Sequence, residues 1–424
     1  MPEPHVFHVN SFCNVFFVVE AIFYFFYGRQ KSIMALSMAF IVLAGLLLNY
    51  IFTKLKLPGF LGMIILGAAA GPYGFNILDK NLIEISGELR TIALIIILLR
   101  AGLGINRSEL KKVGPLAVKF SCIPGLIEGF TVTFVSMKLL GLSFVEGGML
   151  GFIIAAVSPA VVVPFMIFLS EKGIGTKKGI STIILAGASA DDVFAITLFT
   201  VFLGLYGGSG ANPFLQLLGI PVSIILGIAV GIAAGLILVR IFKKFHIRDT
   251  KKVLIILSIS IFLKGLENFL HDKVEIASLI GVMTVGVVIL EKLPEAAERL
   301  SKKFNKIWIF AELLLFVLVG AQVNIHVALN AGLTGFLIIF AGLAGRSAGV
   351  YISTIGSNLN AKERLFCILA YIPKATVQAA VGGIPLAAGV ASGDLILAVA
   401  VLAIIITAPA GALAMNLSYK KLLE

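Results

Sequence analysis

Apolar residues run along this chain in blocks of roughly 18 to 30, separated by short polar intervals, and the pattern predicts about fourteen α-helices. The blocks centre on residues 11–27, 33–53, 57–71, 85–104, 113–139, 147–169, 178–205, 213–242, 252–270, 275–290, 304–321, 326–354, 364–389 and 395–417. As helices, such blocks can cross a hydrocarbon core of ~30 Å, whereas the strands of a membrane β-barrel would alternate in polarity and be about half as long. Lipid offers no partner to backbone N–H and C=O groups, so helices are the remaining choice. The expected fold class is an all-α polytopic membrane protein.

Composition agrees. Of 424 residues, 59% are hydrophobic and 13% charged, and a mean hydropathy of +1.06 excludes a water-soluble domain of this size. The net charge of +12 is scattered over short loops, which encodes topology and does not suggest a nucleic-acid partner. The most basic connection holds Arg240, Lys243, Lys244, Arg248, Lys251 and Lys252; placing it in the cytoplasm puts the C-terminal Lys420 and Lys421 there too. Arg29 and Lys31 dissent, lying on the outside. The run over 11–27 lacks a basic leader and reads as a first helix, not a cleaved signal. Cys13, Cys122 and Cys367 sit in apolar surroundings as packing residues, and the five histidines lie at boundaries with no pair at ligand spacing. Lys119, Lys264, Glu267 and Glu20 lie close enough to helix ends to snorkel, while Glu312 is less easily placed.

An internal repeat organises the chain. LLRAGLGIN, ending at Asn106, resembles FVLVGAQVN, ending at Asn324, and 22 residues beyond each asparagine stand Glu128 and Arg346. A segment interrupted at Ser158-Pro159 is answered by one interrupted at Pro373-Lys374. The expected plan is an extra N-terminal helix (1–31), a first repeat (32–206), a connector helix (207–249) and a second repeat (250–424). Seven helices would separate matching elements, so the two six-helix repeats are inverted in the membrane.

A proline in mid-helix removes a backbone donor and clashes with the preceding turn, so both interrupted helices should break near the midplane. Inward helix ends carry partial charges of about half a unit that need counter-charges. Lys374 can neutralise the C-terminal ends, and Ser158 can offer a hydroxyl oxygen. About 32 residues after the first break stand Asp191 and Asp192, far enough along for the chain to leave the membrane and return. Their carboxylate oxygens are hard ligands that suit Na⁺ or Li⁺, and two adjacent charges in a desolvated site cannot both be held without compensation. A proton and a cation would therefore compete for them. Glu128 and Arg346 are expected to form a salt bridge joining the repeats, and Arg346 cannot release a proton at usable pH.

These residues carry a family resemblance. AVSPAVVVPFMIFLSEKGIGTKKGISTIILAGASADDVFAITLF, residues 156 to 199, together with YIPKATVQAA and Ala344-Gly345-Arg346, resembles the NHA-type sodium/proton antiporters, a branch of the cation:proton antiporter superfamily. The resemblance implies a homodimer in which one bundle holds the interface. A core, here the helices over 113–139, 147–169, 178–205, 326–354, 364–389 and 395–417, would slide as an elevator. It also implies that Asp192 is the principal ion ligand with Asp191 beside it. Many electrogenic relatives carry a lysine where this chain has Arg346, and the departure favours one-for-one exchange.

The expectation is therefore secondary-active exchange of Na⁺ or Li⁺ for H⁺ across the plasma membrane, with no cofactor and membrane lipid as the surroundings. A K⁺/H⁺ antiporter of the same fold is the nearest alternative, and a sodium-coupled solute symporter a more distant one. An enzyme is not expected, because the aspartates of an intramembrane protease face each other from separate helices.

Overall fold

The computed structural model describes residues 34–423 apart from 56, 105–106, 176–177, 208–212, 271–275, 325 and 328–330. The first helix expected over 11–27, with Arg29 and Lys31, lies outside the described residues. Among those described there are seventeen α-helices and no strand. In chain order they are α1 (Met34–Lys54), α2 (Gly59–Ala70), α3 (Lys80–Glu84), α4 (Ser86–Gly104), α5 (Arg107–Leu140), α6 (Phe144–Ala155), α7 (Pro159–Glu171), α8 (Ile180–Gly207) and α9 (Pro213–Lys244). They continue with α10 (Asp249–Leu270), α11 (Ser278–Lys292), α12 (Pro294–Gln322), α13 (Gly332–Ser353), α14 (Ala361–Ala370), α15 (Thr376–Val381), α16 (Ile384–Ala387) and α17 (Gly393–Leu423).

The count exceeds the number of apolar blocks for local reasons. The block over 147–169 divides into α6 and α7, and that over 364–389 into α14, α15 and α16. The short α3 is capped by Asp79, whose carboxylate accepts from Asn81 N at 2.9 Å. Helix α12 begins ten residues before its apolar block because Pro294 starts a first turn and an amphipathic stretch follows, burying Ala297, Leu300 and Phe304 while its charges face outward. Capping boxes fix two starts: Ser143 with Glu146 opens α6, and Asn360 with Glu363 opens α14. Among the described residues six helices are long and apolar enough to cross a bilayer by length and composition, with shorter apolar helices between them.

Two groups of helices follow from the packing. In one, α5 lies against α13, α6 and α8, and α14 and α15 lie against α17. In the other, α12 packs on α2 and α4, and α11 on α9 and α4. Close approach in the second group depends on missing side chains: a Cβ on Gly67 of α2 would collide with the Val317 carbonyl of α12, and one on Gly320 with the Ile64 carbonyl. Small residues permit such contacts where lipid supplies no hydrophobic drive between helices.

Candidate ion-binding site

The two chain breaks meet. Ala156 and Ser158 are extended (ψ 138 and 111), and Pro159 opens α7, as expected of residues next to a proline. On the other side Tyr371 to Ala375 joins α14 to α15. Ser158 N donates to Pro373 O at 2.8 Å, so the breaks are directly hydrogen-bonded, and Lys374 N donates to Thr407 Oγ1 of α17 at 2.9 Å.

An interrupted helix leaves its last carbonyls without intrahelical partners. At the end of α6 those of Ile153, Ile154 and Ala155, with Ala156 just beyond, find partners on other elements. Gln378 of α15 donates its amide to Ile153 O (3.0 Å), Ile154 O (3.2 Å) and Ala156 O (2.9 Å), and Arg346 Nη1 donates to Ala155 O. Lys374, expected to offset inward helix ends, places its ammonium on Glu128 Oε2 at 2.6 Å, while Arg346 and Gln378 occupy the α6 carbonyls.

The charged groups form one network, all of them buried. Glu128 of α5 accepts on Oε2 from both Lys374 Nζ and, at 3.0 Å, Arg346 Nη1. Arg346 of α13 reaches Asp191 Oδ2 through Nη2 at 2.6 Å, and the same oxygen accepts Val157 N at 2.8 Å. The guanidinium also stacks on Tyr371, 5.0 Å from the ring centroid. The expected pair of Glu128 and Arg346 is thus one edge of a larger cluster.

The two aspartates differ. Asp191 is tied down through Oδ2, whereas the Oδ1 atoms of both Asp191 and Asp192 are buried without a partner. Ser158 Oγ and Tyr371 OH are buried and unpartnered as well. Unpaired oxygens in a dry interior are costly, and carboxylate and hydroxyl oxygens have the chemistry to hold a hard cation or a proton. Among the described residues no three His, Cys, Asp or Glu side chains are arranged to hold a resident metal. Glu267 lies apart from the cluster, bonded to Lys264 at 2.6 Å and to Ser278, and Glu312 is in electrostatic contact with Arg100.

Residues 37–415 match the family model described as sodium/hydrogen exchanger, transmembrane. The chain belongs to the sodium/hydrogen exchanger family. It is 33% identical over 389 residues to human sodium/hydrogen exchanger 9B2, covering 87% of this chain and 70% of that one. Against human sodium/hydrogen exchanger 9B1 it is 32% identical over 354 residues, 80% of this chain and 67% of that one. Its fold is similar to that of the sodium proton antiporter of Methanocaldococcus jannaschii solved at pH 8, with a TM-score of 0.79 at 22% identity over 91% of this chain and 97% of that one. The protein is therefore an integral membrane cation/proton antiporter, a transporter and not an enzyme. Its substrates are Na⁺ and H⁺, and no cofactor is required.

Gln378 and Thr407 were not among the residues expected at the site. The signal for Gln378 was available: it is an uncharged amide just beyond the second break, in a largely apolar stretch, where a freed helix end needs donors. Thr407 gives none, because hydroxyls in membrane helices commonly bond their own backbone, as this one also does to Ala403 O.

Proposed function

We propose that the protein exchanges one Na⁺ or Li⁺ for one H⁺, with Asp192 as the competed ligand and Asp191 and Ser158 beside it. The observation that carries this reading is the charge count at the crossing. Three carboxylates (Glu128, Asp191, Asp192) face two cations (Arg346, Lys374), and 3 − 2 leaves one uncompensated negative charge. Glu128 and Asp191 are the two that are ion-paired, so the excess falls on Asp192. One proton or one monovalent cation neutralises it, and both together would overshoot. Arginine holds its charge throughout, so no second proton leaves from position 346.

Alternating access follows from the same electrostatics. The group containing α5 to α8 and α13 to α17 carries the whole cluster, and it would slide as an elevator against the group containing α1, α2, α4 and α9 to α12. Only a core neutralised by an ion can cross the apolar contact, since a bare charge there costs several kcal/mol. The first repeat (32–206), connector (207–249) and second repeat (250–424), inverted in the membrane as part of a fourteen-helix plan, are supported by the pairing of α5 with α13 and the meeting of the two breaks. The basic loops support a cytoplasmic C-terminus, and a homodimer in the plasma membrane rests on the family resemblance alone.

In proteoliposomes bearing a pH-sensitive dye, Na⁺ and Li⁺ should each drive proton movement and K⁺ should not. Asp192→Asn should abolish it while the protein elutes as a folded species. Normal exchange by that variant sinks the assignment, and K⁺-driven exchange of equal rate replaces it with the K⁺/H⁺ alternative.

A further inference from the structure

Among the described residues two arginines are buried, and their standing is very different. Arg346 is 1% exposed and bonded to Glu128, Asp191 and Ala155 O. Arg90 of α4 is 2% exposed, yet its Nε donates only to Ser86 O at 3.3 Å and its Nη1 has no partner. No opposite charge compensates it among the described residues, and a buried unpaired ion is one of the most costly things a protein can hold.

A cavity of about 310 Å³ opens beside it, between α4, α10 and α11 on one side and α8, α15 and α16 on the other. The other charges on its wall are accounted for: Lys264 and Glu267 pair at 2.6 Å. Glu88, solvent-exposed, stands at i−2 on the same helix, and side chains so spaced do not face each other. Thr91 and Thr200 spend their hydroxyl protons on Gly87 O and Ile196 O. A second unsatisfied group is adjacent. Gln322 donates Nε2 to Ser86 Oγ at 2.7 Å and leaves Oε1 buried without a partner. Both side chains press on the turn after α15, where a Cβ on Gly383 would collide with Arg90 Nη1 and stand 3.0 Å from Gln322 Oε1.

We propose that this cavity binds a small monovalent anion, chloride in ordinary salt, against the Arg90 guanidinium. Because the cavity lies between the two groups of helices, the anion also screens a positive charge beside the route of an approaching cation. That consequence rests on the antiporter reading, whereas the site does not.

The test uses the full chain in NaBr, with bromide located by anomalous scattering, and apparent melting in chloride against gluconate at equal ionic strength. Wild type should show bromide in contact with Arg90 and melt higher in chloride. Gln322→Glu, which supplies the protein's own counter-charge and keeps the fold, should lose both effects. Arg90→Gln should lose them too where it folds. Absence of bromide at Arg90 with identical melting in the two salts overturns the proposal, as does bromide that persists unchanged in Gln322→Glu, which is an adventitious ion only. In proteoliposomes, gluconate should raise the apparent KM for Na⁺ about two- to tenfold with little change in kcat, and Gln322→Glu should be indifferent. A protein that holds bromide at Arg90 but exchanges no Na⁺ for H⁺ keeps the site and overturns the transport reading instead.

Discussion

Replacing Glu128 by glutamine removes the one carboxylate that two buried cations share. Its Oε2 lies 2.6 Å from Lys374 Nζ and 3.0 Å from Arg346 Nη1, with every side chain involved at most 2% exposed. Removing one member of a buried pair costs ~3–5 kcal/mol, because the other is left charged and dry. Arg346 retains Asp191 and Ala155 O, so the penalty falls chiefly on Lys374, which has no other side-chain partner among its ion pairs. At ~2–4 °C per kcal/mol for chains of 150–250 residues, and less for longer ones, the apparent melting point should fall by roughly 5–10 °C. Adding Lys374→Met removes the stranded cation. The double variant should then be more stable than the sum of the singles by ~2–3 kcal/mol. Fluorescence-detected size exclusion after heating the detergent-solubilised protein reads all four corners of the cycle. Strict additivity, or Glu128→Gln melting within a degree or two of wild type, refutes the shared-carboxylate geometry.

Three other outcomes follow from the same cluster. Exchanging the charges of the repeat-joining pair, Glu128→Arg with Arg346→Glu, should fail to restore stability, because the new arginine would face Lys374 and the new glutamate Asp191; recovery to near wild type would reduce the network to an isolated pair. Gln378→Leu should destabilise by ~3–9 kcal/mol, since it strips partners from Ile153, Ile154 and Ala156 carbonyls at about 1–3 kcal/mol for each group left unsatisfied; unchanged melting removes this amide from the stabilisation of the break. If a proton and Na⁺ exclude each other, the apparent KM for Na⁺ should rise as pH falls, approaching tenfold per pH unit in the acid limit for a single shared proton. A KM independent of pH means separate sites.

Much of this organisation is legible in the sequence, and the limits of that legibility are physical. Long apolar blocks mark helices because lipid enforces the match between length and hydropathy, and Pro159 and Pro373 mark the breaks because a proline acts locally. The start of α12 is missed because its amphipathic first turns contain Glu295, Glu298, Arg299, Lys302 and Lys303, which a hydropathy window averages away. The donors at the end of α6 are not legible because a helix end can be satisfied by any donor within reach, and only coordinates bring Arg346 and Gln378 to those carbonyls. The family resemblance already ranks Asp192 ahead of Asp191, but the tie that holds Asp191 comes only from coordinates, since Arg346 stands 155 residues away. Arg90 illustrates the same point. Nothing in its sequence surroundings marks it, and only the fold buries it beside Gly383 at the turn after α15.

The exchange is read most directly from proton release on cation binding. Purified protein in dilute buffer at neutral pH, titrated with NaCl while released protons and bound Na⁺ are counted together, should release one proton per Na⁺ bound, and Asp192→Asn should neither bind nor release. Sodium binding without proton release in the wild type, or undiminished release from the Asp192→Asn protein, contradicts competition at that carboxylate.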